Sequence, residues 1–309
     1  MSALINVLLP VFLIIGVGFT SAKLKWLPSS AVDGVMLFTQ KFAIPCLLFN
    51  AMVNIEIGNY FNFLLIVSYF IPSLIGFFLG ILISRSLLKY SLEKSVVIGF
   101  CCLYSNSLML GLPIMEQAYG TNSLGPNYAI IALNTPFCYM TGIVFMEFVK
   151  GRGNGLSSTV VKAIKGIFNN ILVLSILLGV LINILEIIIP TTINNAIDII
   201  IKAAIPTAIF GLGGVLARYK VNGDILPVLL IALIALLMKP SLGYYLADYN
   251  QLDKNSIRAV VLTAAMAPGL NAYIFANMYN TGTKIAATSV LFSTTLSVFT
   301  LWYWLSVLA

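Results

Sequence analysis

The stretch that decides the fold is Tyr104-Ser105-Asn106-Ser107-Leu108-Met109-Leu110-Gly111-Leu112-Pro113. It places polar residues and a Gly-x-Pro sequence inside an apolar segment that is long enough to cross a membrane. Proline removes a backbone donor and clashes with the preceding turn, while glycine relaxes the chain, so the pattern predicts a broken helix. A second interruption, Ala267-Pro268-Gly269-Leu270-Asn271, stands at the corresponding place later in the chain. The sequence therefore predicts two broken membrane helices.

The composition is that of an integral membrane protein. Of 309 residues, 60% are hydrophobic and 9% are charged, whereas about a quarter of the residues of a soluble domain are charged. Histidine is absent and the four cysteines lack metal-ligand spacing, which excludes histidine-dependent catalysis and argues against a zinc site. No HExxH or GxSxG motif is present, so we expect no enzyme. The net charge of +7 is scattered over short loops, so we expect no nucleic-acid partner.

Apolar runs separated by polar or Gly/Pro-containing breaks predict an all-α fold of ten transmembrane helices. A polar connection at 150–166 separates a first set of five, within 1–149, from a second set, within 167–309. The predicted helices lie near 3–22, 31–53, 61–84, 94–119, 127–149, 167–189, 193–217, 225–247, 256–280 and 285–308.

Two further patterns predict topology. With the N-terminus outside, twelve of the 17 Lys and Arg residues fall in inner loops and two in outer loops, so both termini are predicted outside. Five spans per set force the second set to run opposite to the first, which makes an inverted repeat. The repeat has local support, because Lys41-Phe-Ala-Ile-Pro45 is matched by Lys202-Ala-Ala-Ile-Pro206 in the corresponding span.

Paired broken helices are the best sequence indication of a transporter's binding site. A half-helix that starts at a break directs its positive dipole end and free amides at a ligand, which suits a carboxylate. The alternative is a kinked helix whose asparagines bind neighbouring helices. The candidate substrate-binding residues near the breaks are Ser105, Asn106, Gly111, Pro113, Asn134, Pro268, Gly269 and Asn271.

Lys41 and Lys202 are further candidates, because each lies about ten residues inside an apolar span, where an ammonium group is costly. They attract an anionic substrate in one interpretation, and pair with a helix C-terminus or reach an aqueous cleft in the other. Lys239 also lies within a span but is not among the candidates. Trp26, Trp302 and Trp304 are predicted to be interfacial anchors.

The chain resembles the auxin efflux carrier family, the prokaryotic relatives of the plant PIN transporters, which share a superfamily with the bile-acid sodium symporters. The resemblance covers nearly the whole chain. It rests on FAIPCLLF (42–49), NSLMLGLPI (106–114), AAIPTAIFGLGGVL (203–216), AAMAPGLNAYIFANMY (264–279) and VLFSTTLSVFTLWYWL (290–305).

The resemblance implies that the fourth and ninth helices cross at their breaks at the midplane, with Asn106, Pro113, Pro268 and Asn271 at the substrate site. Helices 1, 2, 6 and 7 would form a scaffold that also dimerises, and helices 3–5 and 8–10 an elevator-like transport domain. Family substrates are organic anions, including auxin and malate or malonate. The chain departs from the family pattern at Asn170-Ile171 and Met266-Ala267-Pro268, and its ninth helix lacks the acidic residue of the symporters' sodium site.

We therefore expect a secondary transporter of mono- or dicarboxylates in the plasma membrane of a prokaryote, present as a homodimer. The alternative is a passive anion channel or uniporter, which needs a continuous pore. No cofactor is expected. Coupling to protons or sodium stays open, as do the substrate and the direction of transport.

Overall fold

The computed structural model of the protein describes residues 2–55, 62–150, 171–219 and 224–309. Within these ranges the chain forms twelve helices and a single isolated β-bridge. The helices are α1 (Ser2–Lys23), α2 (Ser29–Asn54), α3 (Phe63–Ser86), α4 (Leu92–Leu103), α5 (Leu112–Tyr119), α6 (Gly125–Lys150), α7 (Ile171–Ile184), α8 (Thr191–Leu216), α9 (Ile225–Tyr249), α10 (Lys254–Ala264), α11 (Leu270–Met278) and α12 (Thr283–Val307).

The prediction of an all-helical membrane protein is confirmed. Seven helices, α1, α2, α3, α6, α8, α9 and α12, are long and apolar enough to cross a membrane. The shorter α7 is apolar too, and the start of its predicted span, 167–170, lies outside the described residues. The predicted fourth and ninth spans are each divided into two helices, α4 with α5 and α10 with α11. The predicted connection 150–166 lies outside the described part of the chain except for Lys150.

Three prolines in the helices follow a turn of π-helix. The turns Thr39–Ala43, Ser107–Gly111 and Ile234–Met238 each end two residues before a proline, which is Pro45, Pro113 or Pro240. Proline has no amide hydrogen for the carbonyl four residues earlier, and a locally widened helix accommodates the loss. Pro45 thus follows a widened turn within α2, whereas Pro206 lies inside the α-helix α8.

Helices α1, α2, α7 and α8 pack closely because glycines face neighbouring backbones. A Cβ atom on Gly18 of α1 would lie 2.1 Å from the Phe210 carbonyl oxygen of α8, and one on Gly213 would lie 2.0 Å from the Ile15 oxygen. Gly179 of α7 meets the backbone of α2 in the same way. Small residues let apolar helices approach where lipid offers no hydrophobic driving force. These four helices form one packed group.

The other helices pack around the two divided spans. Helix α4 lies against α3, where a Cβ on Gly99 would lie 2.7 Å from the Phe77 carbonyl oxygen. The rings of Phe100 in α4 and Phe275 in α11 stack with their centroids 4.0 Å apart. Both are fully buried. The ends of the divided spans are thus held in the interior of the protein.

The three tryptophans do not share one role. Trp26 and Trp302 are 75% and 44% exposed, as interfacial anchors would be, but Trp304 is 4% exposed. Its indole Nε1 donates to the Leu236 carbonyl oxygen at 3.0 Å. A regular helix would supply that carbonyl with the amide of the residue four positions on, which is Pro240 and has none. The anchor prediction for Trp304 is therefore wrong, because its ring fills a hydrogen-bonding gap left by a proline.

Candidate functional site

The first break lies before the Gly-x-Pro sequence, not at it. Helix α4 ends at Leu103, Tyr104 is extended, and the chain becomes helical again at Ser107. Pro113 follows the π turn Ser107–Gly111 inside the helical segment that continues into α5, where the widened turn accommodates its missing amide hydrogen. The prediction that the proline itself breaks the helix is wrong in position: Tyr104–Asn106 form the break, and Pro113 lies within the helix that follows it.

The second break coincides with the predicted residues. Helix α10 ends at Ala264, and α11 begins at Leu270 with Gly269 in an extended conformation as its N-terminal cap. Pro268 thus lies between the helices. Extended backbone at both breaks leaves amides and carbonyls that no helix pairs.

The two breaks contact one another. Ser105 and Pro268 form an antiparallel β-bridge, and the Asn106 amide donates to the Ala267 carbonyl oxygen at 2.9 Å. A Cβ on Gly269 would lie 2.8 Å from Cε1 of Tyr104, so the absence of a side chain there permits the approach. The two interruptions that the sequence pairs are therefore adjacent in space.

Asn134 of α6 braces the first break. Its Nδ2 donates to the Ser105 carbonyl oxygen at 3.3 Å and to the Ser107 Oγ at 3.1 Å. Its Oδ1 accepts from the Tyr69 hydroxyl at 3.2 Å and from the Cys138 thiol at 3.4 Å. All five residues are buried. Asn134 thus fixes the backbone of the break with all of its own polar atoms engaged.

Asn271 is tied into an aromatic hydrogen-bonding network. Its Nδ2 donates to the Tyr104 hydroxyl, and its Oδ1 accepts from the Tyr139 hydroxyl at 3.4 Å. The Tyr104 hydroxyl also lies 2.9 Å from the Thr135 Oγ1. The network joins the start of α11 to the first break and to α6.

Asn106 differs from these two asparagines. Its side chain is 5% exposed, and its Nδ2 has no hydrogen-bond partner among the residues that the structure describes. A buried unpaired donor costs about 1–3 kcal/mol relative to a paired one. The side-chain amide of Asn106 is therefore an unpaired donor where the two breaks meet, and a ligand oxygen can accept its hydrogen bond.

Lys239 of α9 was not a candidate, yet the structure brings it to the first break. Its side chain is fully buried. Its Nζ donates to the Ser105 Oγ at 2.5 Å and to the carbonyl oxygens of Cys102 and Leu103 at 3.3 and 3.4 Å. The signal was the one that singled out Lys41 and Lys202, a lysine well inside an apolar span.

Lys41 and Lys202 lie elsewhere. Both side chains are exposed on the surfaces of α2 and α8, and neither makes a polar contact with the broken segments in the described part of the chain. Gly111, which ends the π turn, and Pro113 in α5 are both buried, and a Cβ on Gly111 would lie 3.3 Å from Met266 Cγ. We call the region where the two breaks meet the crossover. It brings together eight of the ten candidates, which are Ser105, Asn106, Gly111, Pro113, Asn134, Pro268, Gly269 and Asn271.

A small cavity separates the first break from α2 and α7. It encloses about 20 Å³, which is room for a water molecule and not for an organic substrate. Within the described ranges no group of three or more His, Cys, Asp or Glu side chains is placed to hold a metal. The cavity is lined by the hydroxyl-bearing Tyr104, Ser107 and Thr135 and by Leu48, Leu108, Ile131, Ala132, Pro136, Leu172, Val173 and Ile176.

Comparisons with known proteins identify one family and two relatives. The profile of the family described as "Membrane transport protein" matches residues 3–305. The chain is 22% identical, over 97% of its length and 94% of the relative's, to a protein of Rhizobium meliloti (strain 1021) named "Putative malonate transporter". It is also 26% identical to the "Lysosomal cholesterol signaling protein" of Mus musculus, over 94% of this chain but only 36% of that protein.

Proposed function

This chain belongs to the membrane transport protein family, to which the auxin efflux carriers also belong, and from that premise we propose that it is a secondary transporter of small organic carboxylates. The substrate carboxylate binds where the two broken helices meet, and alternating access carries it across the membrane. The family makes the protein a transporter and not an enzyme. The substrate class, the site and the mechanism are the proposal.

The observation that carries the proposal is the unpaired side-chain amide of Asn106. Its Nδ2 is buried beside the break and has no acceptor among the described residues, so a carboxylate oxygen would complete it. Two helical segments begin nearby, the π turn at Ser107 and α11 at Leu270. Their N-terminal ends carry partial positive charge and free amides, which favour an anion.

The cavity lining favours a substrate with one carboxylate and an apolar body. Its three polar side chains, Tyr104, Ser107 and Thr135, carry hydroxyl groups, and its other lining residues are apolar. A second carboxylate would need a charged or strongly donating partner, because an unpaired charge is costly to bury. A dicarboxylate is the second candidate, favoured by the relative whose printed name contains malonate.

The position of the cavity supports movement of one group of helices against another. Leu48 of α2 and Ile176 of α7 line one side, and Ser107 and Thr135 line the other. We propose that α1, α2, α7 and α8 form a scaffold, and that the remaining helices slide against it as an elevator. Sliding would enlarge the cavity to admit the substrate. The proposal includes two inverted repeats, 1–149 and 167–309, a homodimer formed through the scaffold, and both termini outside the plasma membrane of a prokaryote.

Uptake into proteoliposomes tests the substrate assignment. Purified protein is reconstituted and supplied with radiolabelled benzoate, indole-3-acetate, malonate or malate, at equal concentrations. We expect saturable uptake, with the two apolar monocarboxylates preferred. Saturable uptake of malonate with no uptake of the monocarboxylates would favour the dicarboxylate candidate.

Asn106→Ala tests the binding site. Loss of one hydrogen bond to a charged oxygen is worth about 1.5–3 kcal/mol, so we expect the half-saturating carboxylate concentration to rise by about tenfold to a hundredfold. Asn54→Ala is the matched control, because Asn54 is exposed at the end of α2 and its hydrogen bonds to other described residues go to Asn50. Unchanged uptake by Asn106→Ala would refute the site. Single-channel currents in planar bilayers would instead assign a passive channel.

A further inference from the structure

Lys239 is a buried cation with no acidic partner in the described part of the chain. It is the first residue after the π turn Ile234–Met238, and its whole side chain is buried. The one ion pair between described residues, Arg218 with Asp33, lies elsewhere. An unpaired charge in the interior of a membrane protein is expensive and marks a functional position.

The atoms around the Lys239 ammonium form an oxygen site. Its three hydrogens match three acceptors, the Ser105 Oγ at 2.5 Å and the carbonyl oxygens of Cys102 and Leu103 at 3.3 and 3.4 Å. All three acceptors are neutral: one belongs to Ser105 in the first break, and the other two are carbonyl oxygens at the end of α4. Because the ammonium uses its three donors on protein oxygens, none is left to bind a substrate.

The two carbonyls are available because the helix is broken. In a continuous helix the amides of Asn106 and Ser107 would bond to Cys102 and Leu103. Here the Asn106 amide donates to Ala267 at 2.9 Å and the Ser107 amide to Ser105 at 2.8 Å. The free carbonyls end α4, where the helix dipole is negative. In transporters, such half-helix C-terminal ends and unwound carbonyls coordinate coupling cations.

The segment of α9 that carries Lys239 is also held in place by neighbouring helices. Pro240 follows it, and the Trp304 indole donates at 3.0 Å to the Leu236 carbonyl that Pro240 cannot satisfy. Gly76 of α3 packs nearby, where a Cβ would lie 3.1 Å from Ile234 and 3.5 Å from the Cys102 oxygen. The backbone that carries the ammonium is thus fixed against the acceptors.

We propose that the Lys239 ammonium is a tethered cation occupying a monovalent-cation site formed by the end of α4 and Ser105. A carrier with this built-in charge needs no sodium ion to hold the first break together. Shortening the side chain would empty the position and make it a site for free sodium. The inference deepens the proposed function, because it assigns how the crossover is charged during transport, but the site is testable without transport.

The experiment compares four proteins: the native chain, Lys239→Ala, Lys239→Met and Lys284→Ala. Alanine leaves room for an ion, whereas methionine fills most of the space without a charge. Lys284 is exposed near the start of α12, so Lys284→Ala is the matched control. Thermal unfolding in detergent is measured during titration with sodium chloride, with choline chloride keeping the ionic strength constant. Carboxylate uptake is measured in sodium and in choline.

We expect a saturable, sodium-specific rise in the unfolding temperature of Lys239→Ala only. Its uptake in choline should fall by about tenfold or more, since two buried carbonyls lose their donor, and should partly recover in sodium. Lys239→Met should lose uptake, and sodium should not restore it. The unfolding temperature and the uptake of the native chain and of Lys284→Ala should not depend on sodium.

A sodium-indifferent unfolding temperature for Lys239→Ala, or its normal uptake in choline, would overturn the proposal. If neither Lys239 variant folds, the native chain decides: sodium-dependent unfolding or uptake overturns the tethered cation, and indifference to sodium supports it. The unfolding measurement does not depend on carboxylate transport. Failure of the proposed function, seen as no uptake by the native chain, is therefore distinguishable from failure of the cation site.

Discussion

Replacing Gly269 by alanine tests whether contact between the two breaks is needed for binding. The new Cβ would lie 2.8 Å from Cε1 and 3.1 Å from Cδ1 of Tyr104, and 3.4 Å from Cα of Asn106. Gly269 has φ −79° and ψ 168°, which alanine adopts without strain. The substitution therefore acts through steric overlap alone, and Tyr104 must move.

The cost follows from what Tyr104 contacts. Overpacking by one methyl group costs about 1–3 kcal/mol. Movement of the ring also weakens the hydrogen bonds of its hydroxyl with Thr135, at 2.9 Å, and with Asn271, each worth about 0.5–1.5 kcal/mol. Full loss of both hydrogen bonds would bring the total to about 2–6 kcal/mol, and because relaxation of the ring preserves part of them we expect a destabilisation of about 2–4 kcal/mol.

The assay is thermal unfolding of the purified protein, followed by carboxylate uptake in proteoliposomes. Gly269→Ala should unfold at a lower temperature and take up substrate with a raised half-saturating concentration. Gly34→Ala in α2 is the control, because a Cβ there meets nothing within 4 Å. Alanine in a helix is more stable than glycine by about 0.5–1 kcal/mol. If Gly269→Ala matches the native protein in both measurements, the close approach of the breaks has no role in stability or binding.

Two further predictions concern regions outside the crossover. Trp304→Phe removes the donor to the Leu236 carbonyl and should destabilise the protein by about 1–3 kcal/mol, which a lower unfolding temperature would show. The control is Trp302→Phe, at a 44% exposed position, which should have little effect. Equal effects of the two substitutions would contradict this account. Burial, followed by a hydrogen bond to the Asp224 carboxylate, raises the pKa of Tyr90 to about 12. Because the pKa of Tyr90 is higher in the folded than in the unfolded protein, its protonated phenol stabilises the folded state. This contribution to the free energy of unfolding is present below pH about 10 and is lost between about 10 and 12. Tyr90→Phe should reduce the dependence of the free energy of unfolding on pH between about 10 and 12. An unchanged slope in that range would contradict the assignment.

Much of the fold was predictable because lipid imposes simple rules. Each helix must satisfy its own backbone and present an apolar surface, so the runs of apolar residues predicted an all-helical membrane protein, and seven of the described helices are long and apolar enough to cross a membrane. Polar and Gly/Pro-containing interruptions marked both broken spans. The sequence misplaced the first break, however, because it assigned the break to Pro113. Proline restricts only the preceding turn, and the chain leaves the helix where the Asn106 amide bonds to Ala267.

The site was only partly predictable for a related reason. Asn106 and Asn271 stand out in the sequence as polar residues in apolar spans, but their roles differ: Asn271 is bonded to Tyr104 and Tyr139, whereas the Asn106 Nδ2 has no partner in the described residues. Three lysines within spans gave the same signal. Packing exposes Lys41 and buries Lys239, and this difference depends on which face of each helix meets its neighbours.

The sequence by itself determined that the protein lies in a membrane, that its fold is helical and which two spans are interrupted, because these properties depend on composition and on local backbone chemistry. The tertiary structure alone decided that the breaks pair through Ser105 and Pro268 and that Lys239 lies against the end of α4. Such contacts join residues more than a hundred positions apart. They depend on helix rotation and on approach distances set to within a few tenths of an ångström, which local sequence does not encode.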